Sequence, residues 1–145
     1  MEKEISFVRK KRKENNIFMY KEFIIIIVVI FLVVGLDIIT NRYTKHTVEI
    51  LSEELKILRE YILNEEKDKS EKQMESIKQK WEERYEILAF YIEHDELEKV
   101  ETELTGLDAD LSVEEYKHCI AELDTTVFIL EHIQEKEEIH FRSIF

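Results

Sequence analysis

Two pairs of side chains stand one helical turn apart in an order that suits metal ligation: Glu115 with His118, and Glu137 with His140. A Glu-x-x-His pair is a fragment of a carboxylate di-iron site, which needs two such pairs and two further glutamates facing one another inside a bundle. The chain has five histidines, and about one residue in five is Glu, so about one such pair arises by chance. Glu115 has a simpler use three residues after Ser112, as the partner of a capping box, and His140 lies beyond the last apolar stripe. We therefore expect no metal centre. Two glycines leave no phosphate-binding loop, and neither G-x-S-x-G nor HExxH occurs. The expectation is a non-enzymatic chain that uses no cofactor.

The remaining candidates suit contact rather than reaction. Asp37 is the one charge within an apolar run, one turn from its end, where a carboxylate reaches lipid headgroups or meets a basic group on a neighbouring helix. Trp81 stands on an apolar stripe, a core position or a docking residue. His94 falls where a second outer helix is expected to end, so that the helix dipole favours imidazolium, and Asp95 follows as an N-cap. His132, and Phe141, Ile144 and Phe145 in the apolar tail 139–145, complete the set of interaction candidates. Cys119, the single cysteine, allows no internal disulfide and is expected as a buried thiol.

What must position these residues is an anchor and a bundle. Phe23 to Leu36 contains no polar side chain, and 23–40 is long enough to cross a hydrocarbon core as a helix. The 1–22 tail carries seven basic and four acidic residues, a net of +3, against −15 for the remainder. Basic flanks stay inside, so the tail is expected in the cytoplasm and the acidic part outside. Leu36-Asp37-Ile38-Ile39-Thr40 lacks a small-x-small cleavage site, so the reading is an uncleaved single-pass anchor in the cell membrane. The basic cluster Arg9 to Lys13 also suits anionic inner-leaflet lipid. The acidic balance argues against nucleic acid.

Beyond the span, 41–138 reads as an extracytoplasmic helical domain with no proline and one glycine, Gly106. Val48, Leu51, Leu55, Leu58 and Ile62 recur at coiled-coil-like 3, 4, 3, 4 spacing, and Asn64 to Ser70 is a polar connection. Met74, Ile77, Trp81, Tyr85, Leu88 and Ile92 form a second stripe, broadened by Ile87, Phe90 and Tyr91. A five-residue step places a junction at His94-Asp95, followed by the stripe Leu97, Val100, Leu104 and Leu107 on a short helix that ends at Gly106. Ser112 and Glu115 read as a capping box, and Tyr116, Ile120, Leu123, Val127 and Leu130 as the last stripe. The fold class is all-α: a transmembrane helix followed by a bundle of about four helices. Alternating helix directions would bring His94 and His132 to one level near the membrane, and Phe90 to His94 and Phe128 to His132 share Phe-x-(Ile/Leu)-Glu-His.

The basic tail, the span, Trp81, Tyr91-Ile92-Glu93-His94-Asp95-Glu96-Leu97, Leu130-Glu131-His132-Ile133 and the closing Ile144-Phe145 together resemble domain-of-unknown-function family 4363. Its members are small single-span proteins of Gram-positive, often spore-forming, bacteria. Ser143 stands where members tend to carry Asn before the closing pair. The resemblance implies no activity. It implies a partner, because genes of the family often lie beside those of a multi-spanning membrane family.

Two functions fit. One is an accessory subunit that sits in the lipid bilayer and binds a multi-spanning envelope protein; a homo-oligomer is compatible with it. The other is a sensor whose acidic domain takes a cation or small ligand and signals through the span.

Overall fold

The computed structural model describes residues 2–144, with side chains over 20–139. It is 91% helical, with no strand among the described residues. Four helices follow in order: α1 (Glu2–Leu63), α2 (Lys67–Leu88), α3 (His94–Ser112) and α4 (Tyr116–Ile144). Backbone contacts divide the chain into two units, Met1–Ile39 and Thr40–Phe145.

Among its described residues the first unit is helix alone. No proline interrupts it, and its one glycine, Gly35, faces open space. The stretch is long and apolar enough to cross a membrane, and its apolar window buries nothing within the chain. Side chains such as Phe31 stand bare. In water that arrangement is costly.

The second unit is an antiparallel four-helix ring. Its α1 segment buries Val48, Leu51, Leu55, Leu58 and Ile62, the stripe expected from the sequence. Onto it pack Met74, Ile77, Trp81 and Leu88 of α2, and Leu97, Val100, Leu104, Leu107 and Leu111 of α3. From α4 the buried line is Cys119, Leu123, Thr126, Leu130 and Ile133. This seam is rotated from the expected one: Tyr116, Ile120 and Val127 only flank it. Thr126 fits the seam because its hydroxyl donates back to the Glu122 carbonyl at 2.7 Å.

Polar pairs on the outside give the neighbours. Lys80 bonds Glu54 between α2 and α1, Lys78 bonds Asp108 between α2 and α3, and Arg59 bonds Asp124 between α1 and α4. These exposed or half-exposed pairs report adjacency more than stability. At one end, Lys67 and Glu114 join the two turns at 2.5 Å. At the other, Lys136 of α4 reaches Glu93 at 2.7 Å, and Tyr91 reaches Thr44 of α1 at 2.9 Å. Helix directions therefore alternate, as short connections require.

The turns differ from expectation. Gly106 does not end α3, which continues to Ser112. The left-handed residues that close α1 and α3 are Glu65 and Glu114, with φ of 54° and 63°. In each turn the next N–H reaches back five residues, Glu66 to Tyr61 at 2.9 Å and Glu115 to Asp110 at 3.0 Å. That is the Schellman arrangement with glutamate in the place glycine usually takes. Ser112 does not cap α4: its hydroxyl donates to the Ala109 carbonyl at 2.6 Å, and Ser112 is the last residue of α3. Nor is α2 broad. Ile87 is 45% exposed and Phe90 88%, because α2 stops at Leu88 and turns. At the far end, α4 runs on to Ile144, so the backbone of 139–144 is helix rather than a separate tail.

Gly106 has another role. A Cβ built there would meet Glu122 Oε1 at 2.6 Å, so the missing side chain makes room for a carboxylate of α4. Glu122 Oε2 is buried with no hydrogen-bond partner. Burial, then Asp110 and Glu103, raise the Glu122 pKa, with His118 opposing. A carboxyl whose folded pKa is raised adds stability as pH falls through that raised value toward its ordinary 4.5, and none at neutral pH. Glu54 behaves oppositely: its bond to Lys80 lowers its pKa, and its contribution is lost only as pH falls below 4.5.

Two substitutions test this packing. Trp81 is 2% exposed, its indole N–H donates to Glu101, and its ring meets Tyr85 edge-on at 5.8 Å. Trp81→Ala should cost about 3–5 kcal/mol in denaturant unfolding. Gly106→Ala should expel the Glu122 carboxylate into water and gain helix propensity, raising stability at neutral pH by up to about 1 kcal/mol. The same variant should lose the stabilisation that the wild type gains on mild acidification. A destabilised Gly106→Ala would show that the carboxylate has nowhere to go.

Candidate interaction surface

The turn 89–93 is held in place by its neighbours in sequence. Leu88 and Ile92 are buried, which draws both its ends into the core. Between them Tyr91 is half-buried, hydrogen-bonded to Thr44 Oγ1 at 2.9 Å and donating to the Thr40 carbonyl at 3.4 Å. Burial raises the Tyr91 pKa, with the Thr44 bond opposing. Thr44 and Thr47 are themselves buried, small polar residues that let the turn approach α1. The turn is thereby tied to the first residues of the second unit.

His94 is the first residue of α3, not the last of α2. The expected placement at a helix C-terminus is thereby corrected. Its Nδ1 lies 3.4 Å from the Tyr85 hydroxyl and its Nε2 3.9 Å from Glu98, and the side chain is exposed. Asp95 is exposed in the first turn of α3, where its charge suits the dipole, but Glu93 holds the N-cap position. Beside them Lys136 bridges Glu93 at 2.7 Å and the nearly buried Glu96 at 3.5 Å. That bridge fixes the level of α4. Position 136 thus meets the turn, and His132 lies one helical turn before it in α4.

His132 is exposed and stacked on Phe128, their rings 6.3 Å apart and 11° from parallel. Phe128 is 67% exposed, so the pair forms an outward ridge on α4. The shared Phe-x-(Ile/Leu)-Glu-His holds in exposure: Phe90 and Phe128 point out, Ile92 and Leu130 in. It fails in backbone, since one copy is a turn and the other lies within α4.

Trp81 leaves the candidate set, because a buried ring presents nothing to a partner. Asp37 is half-buried on α1, three residues before Thr40. The side chains of Phe141, Ile144 and Phe145 lie outside the described residues. No hydrogen bond, ion pair or ring contact joins His94 to His132 among the described residues.

Reactive groups are arranged for packing. Cys119 is buried, and desolvation above all pushes its thiol up to about 11. His118 lies 3.6 Å from Asp110, and Glu115 gives its backbone carbonyl to the start of α4. Among the described residues, no group of three His, Cys, Asp or Glu side chains is disposed to hold a metal ion. One surface cleft combines Tyr85 with Glu82, Glu86, Glu98 and Glu101.

A family model described as "Domain of unknown function (DUF4363)" matches residues 38–144. The chain belongs to this family. The match covers the whole second unit up to Ile144, so the four-helix ring is the DUF4363 domain of this chain. No curated protein and no solved structure matches.

Sequence patterns hid Lys136, which reads as one more solvated charge, and the Thr44–Tyr91 tie. The buried Thr44 and Thr47 extend the Val48 stripe back by one turn, which was the available signal. Tyr91→Phe should keep the fold, lose about 1 kcal/mol, and increase proteolytic cutting within 89–93. Unchanged stability and cutting would show that the hydroxyl does not hold the turn.

Proposed function

We propose that this DUF4363 protein is a non-enzymatic accessory subunit, anchored by α1 and binding a multi-spanning membrane protein of a Gram-positive envelope. Its N-terminus lies in the cytoplasm and its helical domain outside. The orientation rests on the +3 flank before the apolar run. One observation supports the contact surface more than any other. The turn 89–93 and the 132–136 stretch of α4 are held at the Thr40 end of the ring, with His94, Asp95 and His132 exposed. That end is joined by one peptide bond to the apolar run. A partner within the same membrane meets it first.

The Tyr85 cleft, with its four carboxylates, favours a second reading, a cation sensor. It is separable. Titrating Ca²⁺ or Zn²⁺ into the full chain in detergent should leave the melting temperature unmoved if the protein is a subunit, and raise it with concentration if it is a sensor.

A protease added to intact protoplasts should remove the domain and spare the basic tail. From such cells, mild-detergent capture of the full chain should recover a multi-spanning protein, and His94→Ala combined with His132→Ala should lose it. A protected domain would contradict the orientation. Recovery of nothing beyond the chain itself would contradict the subunit reading.

A further inference from the structure

Phe90 is 88% exposed, the most exposed large apolar side chain among the described residues. It is not loose. It sits between Leu88 and Ile92, both buried, in a turn whose Tyr91 hydroxyl reaches Thr44 Oγ1 at 2.9 Å and the Thr40 carbonyl at 3.4 Å. An apolar ring held outward by a rigid turn gains nothing in water. Thr40 follows Ile39, the last residue of the apolar run, so where that run fills a hydrocarbon core Thr40 stands at its boundary. A turn hydrogen-bonded to Thr40 stands there too.

We propose that Phe90 is a lipid contact: the turn 89–92 seats its exposed ring in the headgroup region of the leaflet on the domain's side. The inference rests on the reading of the apolar run as a membrane span. Its surroundings suit that layer. Tyr91 and Tyr43 are half-buried aromatics beside it, a composition enriched where membranes meet water. Glu93, the nearest acid in the turn, is matched by Lys136 at 2.7 Å, and Arg42 and Lys45 are exposed on the first turns after Ile39. The contact is apolar and needs no anionic lipid, and it gives the domain a second attachment beside the span.

The test uses the full chain with Cys119→Ala, reconstituted in phosphatidylcholine vesicles. Ala89, exposed beside Phe90, is replaced by Cys and carries a nitrobenzoxadiazole reporter. Lipid spin-labelled just below the headgroup is the quencher. The reporter at 89 should be blue-shifted and quenched, as should one at Val28 in the apolar run, whereas one at Val113 in the opposite turn should not. Adding Phe90→Asp should abolish quenching at 89 and preserve it at 28. A reporter at 89 that behaves like the one at 113 while 28 is quenched overturns the lipid contact alone. Quenching at 89 that survives Phe90→Asp also overturns it. Loss of quenching at 28 as well overturns the span and this inference together. A site at 89 that is open in vesicles but shielded in native membranes belongs to a protein neighbour instead.

Discussion

Burial of the α1 stripe is the constraint on which the domain depends. Leu51, Leu55 and Leu58 are at most 1% exposed, and side chains from all three later helices close over the seam they belong to. A helix with this stripe alone would be marginal in water; the ring exists because three other amphipathic helices cover it. Charges on the outer faces record which helices meet, but exposed pairs of this kind contribute little each. With no proline and one glycine in the domain, nothing local breaks the helices except the turns that packing demands.

How far this was legible follows from which signals are periodic. The apolar run, the stripes of α1 to α3 and the core place of Trp81 rest on spacing, and spacing survives into structure. The α4 seam differs from its expected stripe because Thr126 counts poorly as an apolar residue, yet it sits in the seam by bonding its own helix, beside the buried Cys119 that the sequence does indicate. Gly106 was misread because glycine serves two purposes. Here it serves close approach, by Glu122, while glutamates 65 and 114 accept the left-handed conformation. A glutamate in that position carries no sequence signature.

The candidate surface was legible by level and not by contact. Alternating helix directions do bring the turn after α2 and the later part of α4 to the same end, but the meeting residues are Glu93 and Lys136. His94 was misplaced because α2 stops at Leu88, six residues before the register break becomes visible in the stripe. Tyr91 and Thr44 meet across 47 positions, a distance at which no periodicity speaks. Membership in DUF4363 locates the domain without attaching chemistry to it.

In the proposed subunit, the Thr40 end of the ring is the one a membrane neighbour meets. Photo-crosslinking amino acids placed in the living cell at His94 and His132, and at Leu63 and Val113 of the opposite turns, test it most directly. One discrete crosslinked species is expected from His94 and His132 and none from Leu63 or Val113. Crosslinks confined to Leu63 and Val113 would contradict it.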